Sequence, residues 1–158
     1  VTAVRGVAAG AGLALALSSD VVVAMERARF VIAYDRIGAS PDCGLSWFLP
    51  RRVGRGAAFG LMLSAREVGA AEALARGLVD RLLPEAEFDA AVEALLAQIA
   101  AGPTQAYGHY KALMDGGLGL GEHLEAERRA FVASTRSVDF AEGVAAFSDR
   151  RKPTFTGR

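Results

Sequence analysis

Asp42 has the setting that most invites chemistry. It lies in IGASPDCGLSWFLPRRVG, residues 37–54, after Pro41 and beside Cys43, with Leu45, Trp47, Phe48 and Leu49 following. A carboxylate enclosed by apolar side chains is costly to ionise, so its pKa rises and it can exchange protons near neutral pH. The same string is also good turn chemistry, because proline presets φ and an aspartate can bond the backbone just beyond it. The local residues leave both readings open.

A second stretch, GVAAGAGLAL at residues 6–15, is suited to holding negative charge. Glycine lets the backbone approach a ligand closely, and a helix starting there aims N–H groups at it. Gly10 and Gly12 would serve strand–helix packing equally well. The glycine spacing is not a dinucleotide fingerprint, since Leu15 stands where the third glycine belongs, and no Lys-Ser or Lys-Thr follows to make a phosphate-cradling loop. His109 and His123 have no cysteine or second histidine at ligand spacing and read as structural or surface residues, which leaves no metal site. The basic strings RRVGR and DRRK either face solvent or contact phosphate. Cys43 reads as a small buried residue, because no basic neighbour would activate it.

The chain that must position these groups has 158 residues and is 52% hydrophobic, enough for a sizeable core in one domain or in one domain with an appendage. Eighteen basic and eighteen acidic residues cancel, so no overall field draws it to nucleic acid or an anionic membrane. One cysteine excludes an internal disulfide framework and fits a reducing, cytoplasmic compartment. Arg5, Ser18, Ser19 and Asp20 interrupt the apolar opening, which falls short of the roughly 18–20 apolar residues of a membrane span. The chain opens on Val1 inside strand-like sequence, as a fragment would.

The patterning predicts a strand over residues 1–7, a glycine turn, a buried helix in LALALSSD, and two further strands in VVVAME and RFVIAY. From Gly56 onward alanine- and leucine-rich segments carry helical spacing, and Gly102-Pro103 stops one of them. The beginning is therefore strand-rich and the end helical.

Taken in order, GVAAGAGLALALSSDVVVAME, ARFVIAYDRIGASPDCGLSWFLPRRVG, AREVGAAEALARGLVDRLLP and DFAEGVAAFSDRRKPTFTGR resemble the enoyl-CoA hydratase/isomerase, or crotonase, superfamily from end to end. Within it, the I-G-x-x-P-D-x-G…W-x-L-P-R segment is most similar to the isomerase branch that includes the 2-(1,2-epoxy-1,2-dihydrophenyl)acetyl-CoA isomerases of phenylacetate breakdown. The resemblance implies an α/β fold: the second half of a ββα spiral over residues 1–65, then a mainly helical C-terminal oligomerisation region over 66–158 that builds trimers or hexamers. It also implies an upstream stretch holding the first oxyanion-hole N–H and much of the CoA pocket.

The same resemblance implies the site. Family members hold a thioester enolate on two backbone N–H groups, and the second falls on Ala11, between Gly10 and Gly12. Two glutamates that activate water in hydratases are replaced by Ala14 and Tyr34, which counts against ordinary hydration. Asp42 falls where the isomerase branch places its single acid, with Leu45, Trp47 and Phe48 as the expected dry wall raising its pKa. Tyr34 and Trp47 are then expected to line the acyl pocket, and Phe131 and Arg150 to contact the adenine and phosphate region of CoA. The implied substrate is an acyl-CoA thioester, with no cofactor beyond the CoA it carries. Two alternatives stay open. In one, Asp42 is a nucleophile, as in the 4-chlorobenzoyl-CoA dehalogenases; in the other, the chain is a non-catalytic acyl-CoA-binding or assembly module.

Overall fold

The computed structural model describes residues 1–117 and 119–158. Its first unit, Val1–Glu93, sends short strands alternately to two sheets. β1 (Thr2–Val4) and β2 (Val7–Ala9) precede α1 (Ala11–Leu17); β3 (Val22–Met25) then joins the sheet of β1, and β4 (Arg29–Val31) that of β2. Both pairings are parallel, with Thr2 opposite Val22 and Val7 opposite Arg29. Two strands and a helix make one turn of a spiral, and the next turn lays its strands beside them, as the ββα reading expected. The strand expected over residues 1–7 is in fact two. Arg5 and Gly6 carry the chain between sheets, and Arg29 N donates to Gly6 O at 3.0 Å. The Arg5 guanidinium lies 5.0 Å from the centroid of the buried Phe88 ring.

Two further strands lie inside sequence that reads as helical. β5 (Glu67–Gly69) runs antiparallel to β4, α4 (Ala70–Ala75) follows, and β6 (Arg81–Leu83) runs parallel to β3. Residues 66–93, with the paired strands β5 and β6, fall in the first compact unit, which ends at Glu93. Strands of three residues are too short to display a period of two, so alanine-rich surroundings hide them.

The core forms where the two sheets and the helices bury apolar faces together. All four residues of β3 are buried, as for a central strand covered on both sides. Leu13, Ala14, Ala16 and Leu17 of α1 meet Leu45 and Leu49 of α2 (Leu45–Val53) and Ala58 and Leu61 of α3 (Arg55–Ser64) in one cluster. The i, i+3 and i, i+4 spacings on these helices are what put each apolar set on one face. Arg52 of α2 fastens the assembly. It donates to both Asp80 oxygens, at 3.0 and 2.8 Å, and to the carbonyl of Ser19 at 2.8 Å. Asp80 in turn accepts from Val22 N at 2.7 Å, where β3 begins.

The second unit, Ala94–Arg158, holds the end of α5 (Phe88–Ala100), then α6 (Thr104–Met114), α7 (Leu120–Ser134) and α8 (Val138–Ser148). Ser137 caps α8 by accepting from Phe140 N at 3.0 Å. The residues after α8 fold back along it. Buried Asp139 accepts from Thr156 N at 2.7 Å and Gly157 N at 2.8 Å, and its own N–H donates to Arg158 O at 2.9 Å. Glu142 accepts from both Arg151 terminal nitrogens, at 2.6 and 2.9 Å, and from Thr154 N at 2.8 Å. Among the described residues no helix is long and apolar enough to cross a membrane.

Two tests follow from these ties. Arg52→Ala removes the guanidinium from Asp80, which keeps its bond from Val22 N, and from the Ser19 carbonyl, and hydrogen bonds to charged groups contribute about 1.5–3 kcal/mol each. The variant is expected to lose about 2 kcal/mol or more in urea denaturation, with Arg52→Lys, which lacks the fork, recovering only part. In the second unit, the Arg151 guanidinium first, and Thr154 N–H after it, hold the Glu142 pKa down from 4.5 to about 2. A depressed carboxylate contributes stability that is complete above pH 4.5 and fades as pH falls towards 2. The stability difference between wild type and Glu142→Gln should therefore shrink across that window and stay constant above it, as read by denaturation at each pH.

Candidate active site

The glycine turn and the aspartate loop meet through one side chain. Gly10 ends β2 with φ 50° and ψ −121°, a left-handed geometry that only glycine adopts freely, and its N–H donates to Val31 O of β4 at 3.0 Å. α1 begins at the exposed Ala11, and its first helical hydrogen bond runs from Ala14 N to Gly10 O at 3.1 Å, so the N–H groups of Ala11 and Gly12 precede the helical ladder. Tyr34 stands just beyond β4. A Cβ placed on Gly10 would lie 3.8 Å from both Cζ and Oη of its ring. The Tyr34 hydroxyl donates to Asp42 Oδ1 in a short hydrogen bond. Gly10, Ala11, Tyr34 and Asp42 are thus drawn to one place, and Gly12 lies in the first turn of the same helix.

Asp42 itself sits differently from the expected walled acid. It is exposed, in a loop where Cys43 and Gly44 both take left-handed φ, 50° and 84°, before α2 begins. Gly44 is required twice over, since a Cβ there would also lie 2.8 Å from the Phe48 ring. The Tyr34 hydroxyl first, and the Cys43 thiol second, hold the Asp42 carboxyl below its ordinary value. The expectation that Leu45, Trp47 and Phe48 wall the aspartate and raise its pKa is corrected here. Leu45 is wholly buried in the core and Phe48 packs against that core. Trp47 is 57% exposed, with the Arg51 guanidinium 3.2 Å from its ring centroid.

Phe131, on α7 of the second unit, is exposed and meets Phe140 edge-on at 6.1 Å. Arg150, also in the second unit, is exposed just after α8 with φ 55°. Cys43 is exposed, not buried, and takes a positive φ of 50° in the loop. Within RRVGR, Arg52 is taken up by Asp80, and within DRRK, Arg151 by Glu142. Ala14 is fully buried in α1, and among the described residues no cluster of His, Cys, Asp and Glu could hold a metal. Sequence reasoning missed the Tyr34 hydroxyl as the partner of Asp42. Eight positions separate them across an irregular loop, and no periodicity links residues so placed.

Parallel strands alternating between two sheets, with a glycine turn feeding a short helix and a carboxylate linked to it through Tyr34, define a ββα-spiral protein. The model of the enoyl-CoA hydratase/isomerase family matches residues 1–158, and the chain belongs to that family. It is 44% identical to a protein of Rhodobacter capsulatus named probable enoyl-CoA hydratase, over 99% of this chain and 62% of that protein. It is 38% identical to the 1,2-epoxyphenylacetyl-CoA isomerase of Escherichia coli, over 100% of this chain and 61% of the other. The crystal structure of an enoyl-CoA hydratase/isomerase from Cupriavidus metallidurans superposes with a TM-score of 0.91 at 30% identity, covering 98% of this chain and 60% of that one. The chain thus spans about three fifths of the length of these relatives.

Cys43 offers a direct check of the local electrostatics, because it is the single cysteine. Its hydrogen bond to Asp42, then partial desolvation, then the aspartate's charge hold its thiol pKa above the ordinary value. Asp42→Asn removes the charge and weakens the acceptor, so alkylation by iodoacetamide at pH 8 should be faster in the variant, as followed by intact mass. Equal rates would show that the thiol and the carboxylate do not interact.

Proposed function

We propose that the whole protein is an acyl-CoA isomerase that shifts a double bond in an enoyl-CoA thioester through an enolate, with Asp42 as acid–base. The observation that carries this reading is the Asp42 carboxylate, held by Tyr34 beside the turn that starts at Gly10. Asp42 removes a proton from C2 of a 3-enoyl thioester, the electron pair spreads into the dienolate, and the same proton returns at C4 to leave the conjugated 2-enoyl product. The Ala11 N–H holds the developing oxyanion together with a second donor from outside this chain.

Magnitudes set the division of labour. A carboxylate held below its ordinary pKa is ionised at neutral pH, as a base must be, but it is a weak base. The reaction then depends on the oxyanion donors, each of which is worth about 3–4 kcal/mol in a transition state. Hydration is disfavoured by the side chains at the two positions where hydratases resemble this chain but carry glutamate. Ala14 has no acid, and Tyr34 is a phenol whose pKa is raised by its bond to Asp42 and by burial. The reading extends to a cytoplasmic homotrimer or hexamer that takes CoA as part of its substrate and needs no cofactor. The exposed Phe131, Val144 and Phe147 of the second unit support assembly. Trp47 in the acyl pocket, and Phe131 and Arg150 against CoA, belong to the same proposal.

The test uses the full-length protein with trans-3-hexenoyl-CoA, following absorbance of the conjugated thioester. Wild type should convert it, and Asp42→Asn should lose about 10²-fold or more in kcat, the scale of general acid–base groups. Equal rates would remove Asp42 from the chemistry. Chloride release from 4-chlorobenzoyl-CoA would make Asp42 a nucleophile and overturn the isomerase reading.

A further inference from the structure

We propose that Tyr34 is the positioning residue of the Asp42 carboxylate, fixing it beside the Gly10 turn through its phenolic hydroxyl. The proposal rests on the reading of Asp42 as the acid–base. An exposed aspartate in a loop turns freely about both side-chain bonds, and a proton moved between two carbons of a bound thioester needs a carboxylate held in register with the enolate. Among the described residues, Leu45 and Trp47 do not supply this constraint. Leu45 is turned into the core, and the Trp47 ring is exposed under Arg51.

Tyr34 is built to supply the missing constraint. Its carbonyl accepts from Ile37 N at 3.2 Å and Ala39 N at 3.0 Å, and its ring packs against the main core, so its hydroxyl is carried on a fixed frame. That frame is tied to the turn twice, by the bond from Gly10 N to Val31 O at 3.0 Å and by the approach of the ring to Gly10, 3.8 Å from a Cβ placed there. The hydroxyl donates to Oδ1 and so fixes the orientation of the carboxylate. Tyr34 thereby links the distance between carboxylate and oxyanion turn to the register of β2 on β4. Among the described residues the titratable groups acting on Asp42 are Tyr34 and Cys43.

The test compares full-length wild type and Tyr34→Phe by two independent readouts. In the first, the Asp42 carboxyl carbon is titrated by ¹³C NMR, its signal assigned by its loss in Asp42→Asn. The midpoint should move to higher pH in Tyr34→Phe, because the chief donor to the ionised form is gone. In the second, kcat for trans-3-hexenoyl-CoA should fall in Tyr34→Phe with little change in KM, and the acid limb of the kcat profile should move the same way as the midpoint. A midpoint that stays in place overturns the proposal, and so does a fall in thermal stability with kcat and the acid limb unchanged, the mark of a mere loop fastener. A moved midpoint in a protein whose wild type leaves the thioester unconverted upholds the pairing and overturns the isomerase reading instead. Asp42→Asn supplies the reciprocal measurement. Its Tyr34 phenol should ionise at lower pH than in wild type, read from phenolate absorbance, since the aspartate raises it; an unchanged phenol titration counts against the pairing.

Discussion

Strands of three or four residues are too short to hold together in isolation, and this constraint shapes the whole first unit. Each of β1, β2 and β4 makes only a three-residue ladder, so a single ββα turn buries too little to be stable alone. Stability comes from laying one turn upon the next, with β3 as the shared member between β1 and β6 and β4 as the shared member between β2 and β5. The complete burial of β3 reflects that central position. The turns between strands then become the places where the backbone must leave extended geometry, and one of those places is Gly10. The conformation that lets the spiral pass from β2 into α1 is also the conformation that presents Ala11 at the start of a helix.

Much of this was legible in the sequence, for identifiable reasons. VVVAME and RFVIAY read as strands because β-branched and aromatic residues are concentrated between polar breaks, and GAG read as a turn because two glycines precede an apolar helix-forming run. β5 and β6 were not legible. EVG and RLL carry no alternation, and they lie between segments whose alanine and leucine content favours helix; tertiary pairing with β4 and β3 overrides that local preference. Arg5-Gly6 failed to read as a break because a two-residue passage between sheets has no composition of its own.

The site divides in the same way. Residue types located Asp42 and the glycine turn, while the environment of Asp42 escaped because it depends on which way a loop turns. Cys43 and Gly44 at positive φ throw the chain outward, so the apolar residues that follow enter α2 with Leu45 and Leu49 facing the core. Apolar neighbours in sequence became neighbours of the core instead of neighbours of the carboxylate. The charge is governed by hydroxyl and thiol donors.

The stack of Arg51 on Trp47 has a practical consequence. This is the single tryptophan of the chain, and it stands in the first turn of α2, five positions beyond Asp42, with its ring exposed and a guanidinium 3.2 Å from its centroid. Within this chain, indole fluorescence therefore reports from one known spot without labels. A large planar group settling near the aspartate loop, or a movement of α2 that unstacks Arg51, alters the polarity around that ring. The protein carries its own optical gauge of events beside Asp42.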